Sequence, residues 1–324
     1  MESVRIEFED GSFLSSLFGH EPALLGKAEA VFGVRLTARD GLLVVADPGG
    51  GRVEEAARFF HELENVRRGG GEIDRERFLL ALEAFGHEDG SLGGALEAGR
   101  LQSVRGARLT VKARNLRQVA YLKAMEEQPV VFGLGPAGTG KTWLAVAHAV
   151  DGMKRGLFNR IILTRPAVEA GEALGFLPGD MKEKILPYLR PLYDAIHEMM
   201  GPEELERMLE RGQVEIAPLA YMRGRTLNHS VIILDEAQNT TREQMLMFLT
   251  RMGEDSRCII TGDPSQIDLR PAARSGLLEA ARILADVEGV AFVEFRGGDV
   301  VRHRVVQRII EAYQGARGSG PSGD

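Results

Sequence analysis

The stretch from Val130 to Thr142 constrains this chain more than any other: Val-Val-Phe-Gly-Leu-Gly-Pro-Ala-Gly-Thr-Gly-Lys-Thr. Val130 to Leu134 is an apolar run of the kind that forms a buried parallel strand. Gly135, Pro136, Ala137, Gly138, Thr139, Gly140, Lys141 and Thr142 then fit G-x-x-x-x-G-K-[ST] without a mismatch. Trp143 to Arg155 contains no proline and predicts a helix. The glycines let backbone N–H groups curl around phosphates, and the helix N-terminus adds donors and a favourable dipole. Lys141 is placed to reach the β- and γ-phosphates of a nucleotide, and the Thr142 hydroxyl to ligate Mg²⁺.

A second motif follows in Val231-Ile232-Ile233-Leu234-Asp235-Glu236. Four apolar residues ending in two carboxylates form a Walker B arrangement. A parallel strand delivers Asp235 to its C-terminal edge, where open α/β sheets bind ligands. Asp235 is expected to hold Mg²⁺, and Glu236 to orient and deprotonate an attacking water. The same two carboxylates would also suit the N-cap of a helix over Thr241 to Met252. Cys258 to Thr261 reads as the next strand and ends in Thr261-Gly262-Asp263-Pro264-Ser265-Gln266. That place suits a γ-phosphate sensor: Gln266 is the candidate, with Asp263 to polarise it. Gln118, one helical turn before Tyr121, precedes the first core strand, where many nucleotide-driven helicases read the adenine edge.

Around this core the sequence suggests four regions. Residues 1–70 alternate strand and helix signals in the order β-α-α-β-β-α, with an Asp40-Gly41 hairpin turn. That order is compatible with a KH-like RNA-binding module, although the expected G-x-x-G clamp is replaced by Gly19-His20-Glu21-Pro22. A docking or assembly domain fits equally. Residues 71–109 read as a helix and a glycine-rich linker, 110–314 as the nucleotide-binding domain, and 315–324 as a disordered tail. Glu169 to Gly212 reads as a long helical insertion suited to a partner or a neighbouring subunit. Arg100 to Lys123 carries basic residues and no acidic ones. In a chain of net charge −7, any nucleic-acid contact has to be local, and this strip is either RNA-facing or a solvated linker face.

Other chemistry is excluded more easily. One cysteine, Cys258, permits neither an internal disulfide nor a cysteine metal cluster, and its apolar setting reads as core. The histidines show no paired ligand spacing, and no G-x-S-x-G elbow exists. No apolar run is long enough to span a bilayer. The expected location is the cytoplasm.

Several long strings together resemble one family, the PhoH-like proteins. They are Gly135–Thr142, Thr164-Arg165-Pro166-Ala167-Val168-Glu169-Ala170-Gly171-Glu172, Leu174–Asp180, Tyr188–Asp194, Ala217–Thr226, Asp235-Glu236-Ala237-Gln238-Asn239 and Thr261-Gly262-Asp263. Pro264-Ser265, Arg270–Arg274 and Arg304 depart from the family pattern. The resemblance implies an α/β fold: a RecA-like P-loop core similar to the first motor domain of superfamily 1 helicases, preceded by a small KH-like α+β domain. It implies an ATP- and Mg²⁺-dependent protein of RNA metabolism, linked to phosphate starvation and to a single-strand endoribonuclease of ribosomal RNA maturation. The sequence contains one motor core, so an arginine completing the site is expected from a neighbour in a homo-oligomeric ring, a hexamer. Arg302 is the first candidate, with Arg165, Arg223 and Arg225 behind it. The alternative is a nucleotide-controlled assembly or docking module with little unwinding of its own.

Overall fold

Alternating apolar and charged residues at the start of the chain build a small antiparallel sheet. The computed structural model describes residues 3–85, 103–105, 110–166, 181–269, 275–301, 305, 306 and 309. The chain forms two compact units, Met1–Arg105 with Leu109–Lys123, and Gly106–Arg108 with Ala124–Asp324.

In the first unit β1 (Ser3–Glu7), α1 (Gly11–Ser16), α2 (Ala23–Phe32), β2 (Arg35–Arg39), β3 (Leu42–Ala46) and α3 (Val53–Arg68) follow the expected β-α-α-β-β-α order, with the sheet ordered β1-β3-β2. Asp40 and Gly41 both take positive φ, 50° and 83°, as a type I′ hairpin turn demands. Ile6, Leu43 and Val45 point inward against α3, whose Phe59, Phe60 and Leu63 are fully buried. The sequence reading closes this unit near residue 70. The structure extends it, because α4 (Arg75–Phe85) supplies Phe78 and Phe85 to the same core. Both rings meet Phe59 edge-on with centroids 5.4 Å away. The start of α4 also covers the Gly19–Pro22 loop. A Cβ at Gly19 would lie 3.3 Å from Ile73 O, and Arg75 pairs with Glu21. At the position a KH clamp would use, Gly19 is therefore packed against protein, while His20 and Pro22 are exposed. β4 (Ser103–Arg105) and β5 (Thr110–Lys112) form a separate antiparallel pair, and α5 (Leu116–Glu127) follows. Within the basic strip, Lys112 is neutralised by Asp74, while Arg114, Arg117 and Lys123 are exposed.

The second unit is built on six strands that pair only in parallel: β6 (Val130–Leu134), β7 (Arg160–Arg165), β8 (Val214–Pro218), β9 (Ser230–Leu234), β10 (Arg257–Gly262) and β11 (Val290–Glu294). Their order is β11-β6-β10-β9-β7-β8. β9 is buried at every position, as expected for a sheet covered on both faces. The helices are α6 (Lys141–Lys154), α7 (Met181–Met200), α8 (Pro202–Glu210), α9 (Arg242–Leu249) and α10 (Gly276–Ile283). This is the six-stranded parallel α/β core of a P-loop NTPase. The glycine-loop strand β6 and the Asp-Glu strand β9 are separated by β10 alone, so both motifs and the end of β10 emerge on one edge. Among the described residues no helix is long and apolar enough to cross a membrane. Residues 169–180 of the expected insertion and the 315–324 tail lie outside the described residues, as does most of the expected last helix.

Candidate functional site

Gly135 leaves β6 at φ 138°, and Gly138 and Gly140 turn the loop at φ 84° and 86°. Gly140 is the N-cap of α6, and Lys141 is already its first residue. The loop N–H groups therefore sit at a helix N-terminus, a ready anion cradle. Gly135 admits no side chain, since a Cβ there would lie 2.3 Å from Phe295 O. Lys141 is buried, and its ammonium donates to Gly135 O at 2.7 Å and Pro136 O at 2.8 Å. It thus lies along the inside of its own loop.

Asp235 follows β9 and is also buried. Its Oδ1 accepts from the Thr142 hydroxyl at 2.8 Å and from the Thr261 hydroxyl at 2.7 Å. A hydroxyl and a carboxylate in direct contact, one from each motif, are the hard oxygen donors that suit a divalent cation such as Mg²⁺. Glu236 sits beyond Asp235 in the left-handed region, φ 53°, a conformation that costs a non-glycine residue ~1–3 kcal/mol. Its two oxygens are held from opposite sides. Oε1 pairs with Arg165 Nη2, and Oε2 accepts from Gln238 Nε2 at 2.5 Å. Helix capping does not account for the Asp-Glu pair. Ala237–Asn239 forms a 3-10 turn, and Thr241 caps α9 in a reciprocal capping box with Gln244.

Gln238 extends the network, because its Oε1 accepts from the Asp263 N–H at 3.0 Å. Asp263 Oδ2 accepts from Gln266 Nε2 at 2.8 Å and from the Ala137 N–H of the glycine loop at 3.2 Å. One chain of polar contacts therefore runs from the loop through Asp263 and Gln238 to Glu236. These groups surround a cavity of about 240 Å³, lined by Ala137, Gly138, Gly140, Lys141, Thr142, Trp143, Asp235, Glu236, Gly262, Asp263 and Gln266.

The structure brings together Lys141, Thr142, Asp235, Glu236 and Gln266, which the sequence singles out. It does not place Gln118 in this lining. Gln118 belongs to the first unit, is buried, and its Oε1 accepts from the Arg114 N–H at 2.8 Å. Arg302 lies outside the described residues, although the preceding Val301 N–H donates to Gly138 O at 2.8 Å. Of the other arginines considered as trans donors, Arg165 is engaged within its own chain. Arg225 makes a two-point pair with Glu215 at 2.6 and 2.7 Å, which raises its pKa, and Arg223 is exposed. Sequence reasoning missed Thr261 and Gln238. Register could have found the first, since Ile260 pairs with Leu234 and Thr261 must then flank Asp235. Cys258 is fully buried, and burial pushes its thiol up to about 12, which makes it an inert core residue.

Residues 110–314 match the family described as PhoH-like protein. The chain is 47% identical over 299 residues to a PhoH-like protein of Bacillus subtilis, covering 92% of this chain and 93% of that protein. It is 54% identical over 211 residues to a PhoH-like protein of Synechocystis, covering 65% of this chain and 64% of the other. Against protein PhoH of Escherichia coli K12 it is 47% identical over 205 residues, covering 63% and 58%. In these last two matches the chain spans less than two thirds of the relative's length. On the parallel core, the two motifs and these matches, the chain belongs to the PhoH family.

Proposed function

We propose that this chain is a Mg²⁺-dependent ATPase that works in RNA metabolism. The observation that carries the reading is the Thr142–Asp235 hydrogen bond across the cavity, which joins the glycine loop to the Asp-Glu strand with Lys141 and Glu236 on either side. Loop N–H groups bind the nucleotide phosphates, and Lys141 exchanges its two loop carbonyls for phosphate oxygens. Thr142 and Asp235 would hold Mg²⁺, which supplies neutralising charge on the phosphates. Glu236 takes the proton of the attacking water, and Gln266, oriented by Asp263, contacts the γ-phosphate. A neighbouring copy in a hexameric ring supplies an arginine, Arg302 or the exposed Arg223. The RNA reading draws on the exposed Arg114, Arg117 and Lys123, with single-stranded RNA and an endoribonuclease of ribosomal RNA maturation as partners in the cytoplasm.

ATP turnover by the full chain, with and without single-stranded RNA, tests this. Lys141→Ala is expected to abolish nucleotide binding. Glu236→Gln is expected to keep binding and lose about 10²–10⁴-fold in kcat. Unaltered turnover in Glu236→Gln would remove the general-base assignment. The second reading, a nucleotide-controlled docking module, finds support in Glu236 having both oxygens engaged. A slow rate that RNA does not stimulate would favour it.

A further inference from the structure

Arg165 ends β7 and meets three groups at once. Nη2 pairs with Glu236 Oε1, and Nε stands 3.8 Å from Asp235 Oδ2. Nη1 donates to Tyr188 O at 3.0 Å. The first two groups are the carboxylates at the end of β9. The third is main chain of α7, a helix that packs on α6, β7 and β8.

The helix is prepared for that contact. Pro191 stands inside α7, three residues after Tyr188, and its exposed ring lies on the solvent side. A proline there removes the N–H that would bond the Pro187 carbonyl, and its ring crowds the preceding turn. The Tyr188 carbonyl of that turn accepts from Arg165. Because its partner is a backbone atom, the guanidinium senses where this turn sits and not which side chain occupies it.

At the other end of the same guanidinium, Glu236 holds a left-handed backbone that is unfavourable for a non-glycine residue. Gln238 grips one carboxylate oxygen and Arg165 the other. The planar fork of arginine can hold a carboxylate and a carbonyl simultaneously, which a lysine ammonium on a flexible stem does far less well.

We propose that Arg165 is a positioning residue that couples the seat of α7 to Glu236, so that displacement of α7 sets the rate of hydrolysis without changing nucleotide affinity. This rests on the reading of Glu236 as general base. α7 presents Pro187, Arg190, Pro191, Asp194 and Glu198 to solvent.

The test uses the full chain, with binding of a fluorescent ATP analogue measured beside turnover. Arg165→Ala is expected to keep the analogue Kd within about threefold and to lower kcat about ten- to hundredfold, the penalty of a misplaced group. Arg165→Lys is expected to recover only part of it, and Arg165→Gln guards against a misfolded alanine variant. Pro191→Ala, far out on the solvent face, is expected to lower kcat severalfold, and to add nothing in the Arg165→Ala background. Hydrogen exchange over 188–200 should respond to a non-hydrolysable ATP analogue in the wild-type chain and not in Arg165→Ala. Unchanged or raised kcat in Arg165→Ala, loss of analogue binding with it, additive effects of the two substitutions, or an α7 response that survives in Arg165→Ala would each overturn the coupling. Failure of the wild-type chain to bind the analogue would instead defeat the ATPase reading on which the coupling rests.

Discussion

Gly135 shows how little freedom the centre of the site has. Its N–H donates to Gly262 O at 3.1 Å, and the Phe295 N–H donates to Leu134 O at 2.7 Å beside it. A side chain here would adopt φ 138° and press on the Phe295 carbonyl from 2.3 Å. Gly135→Ala is therefore expected to lose ~1–3 kcal/mol of stability, together with nucleotide affinity, since the loop must shift to make room. Urea unfolding beside analogue binding checks this, and wild-type stability would show that the loop yields freely. Lys141, Thr142, Asp235 and Glu236 are legible in sequence because each motif is contiguous and its chemistry dictates its spacing. Thr261, Gln238 and the cis engagement of Arg165 are not legible in that way. They meet the carboxylates only through strand register and the local turn after β9, and neither leaves a contiguous signature.

At the scale of elements, α6 does more than begin the glycine loop's helix. His148 on its inner side is 1% exposed, and its Nε2 has no hydrogen-bond partner among the described residues. Burial is the main cause that lowers its pKa to about 4. The Glu126 carboxylate, 3.9 Å from Nδ1, and Asp151 oppose that shift, while Arg257 and Arg155 add to it. The folded chain thus keeps His148 neutral, whereas the unfolded chain protonates it below the ordinary histidine value of 6.5. Stability is complete above that value and falls as the pH drops from about 6.5 towards 4, by about 2 kcal/mol at pH 5. Glu126 is held below its usual range, so its own loss comes lower, under about pH 4.5. His148→Leu should flatten the slope of Tm between pH 7 and 5, because leucine binds no proton in either the folded or the unfolded chain. An equal slope in the variant would place the acid sensitivity elsewhere. Nothing in the sequence marks His148 as buried beside Glu126. Helical spacing puts it on α6, but the carboxylate comes from α5.

Across the whole molecule, the places of most strands and helices along the chain follow from hydrophobic patterning. The division of the chain does not. Sequence signals stop at Arg67-Arg68-Gly69-Gly70-Gly71 and suggest a closed domain ending there. A unit ending at 70 would leave Phe32 and Phe59 open on one side, where Phe78 and Phe85 of α4 actually seal them. A glycine-rich break marks where a chain can turn, not where a core is complete. Phe78 is fully buried, and Phe78→Ala is expected to destabilise the first unit by about 3–5 kcal/mol. The parallel sheet has its own separate core, so the loss should appear in hydrogen exchange of α3 and β3 while β9 and β10 keep their protection. A fragment of residues 1–70 should likewise show no cooperative unfolding transition. A sharp transition in that fragment would mean that the first three helices and the small sheet close a core without α4.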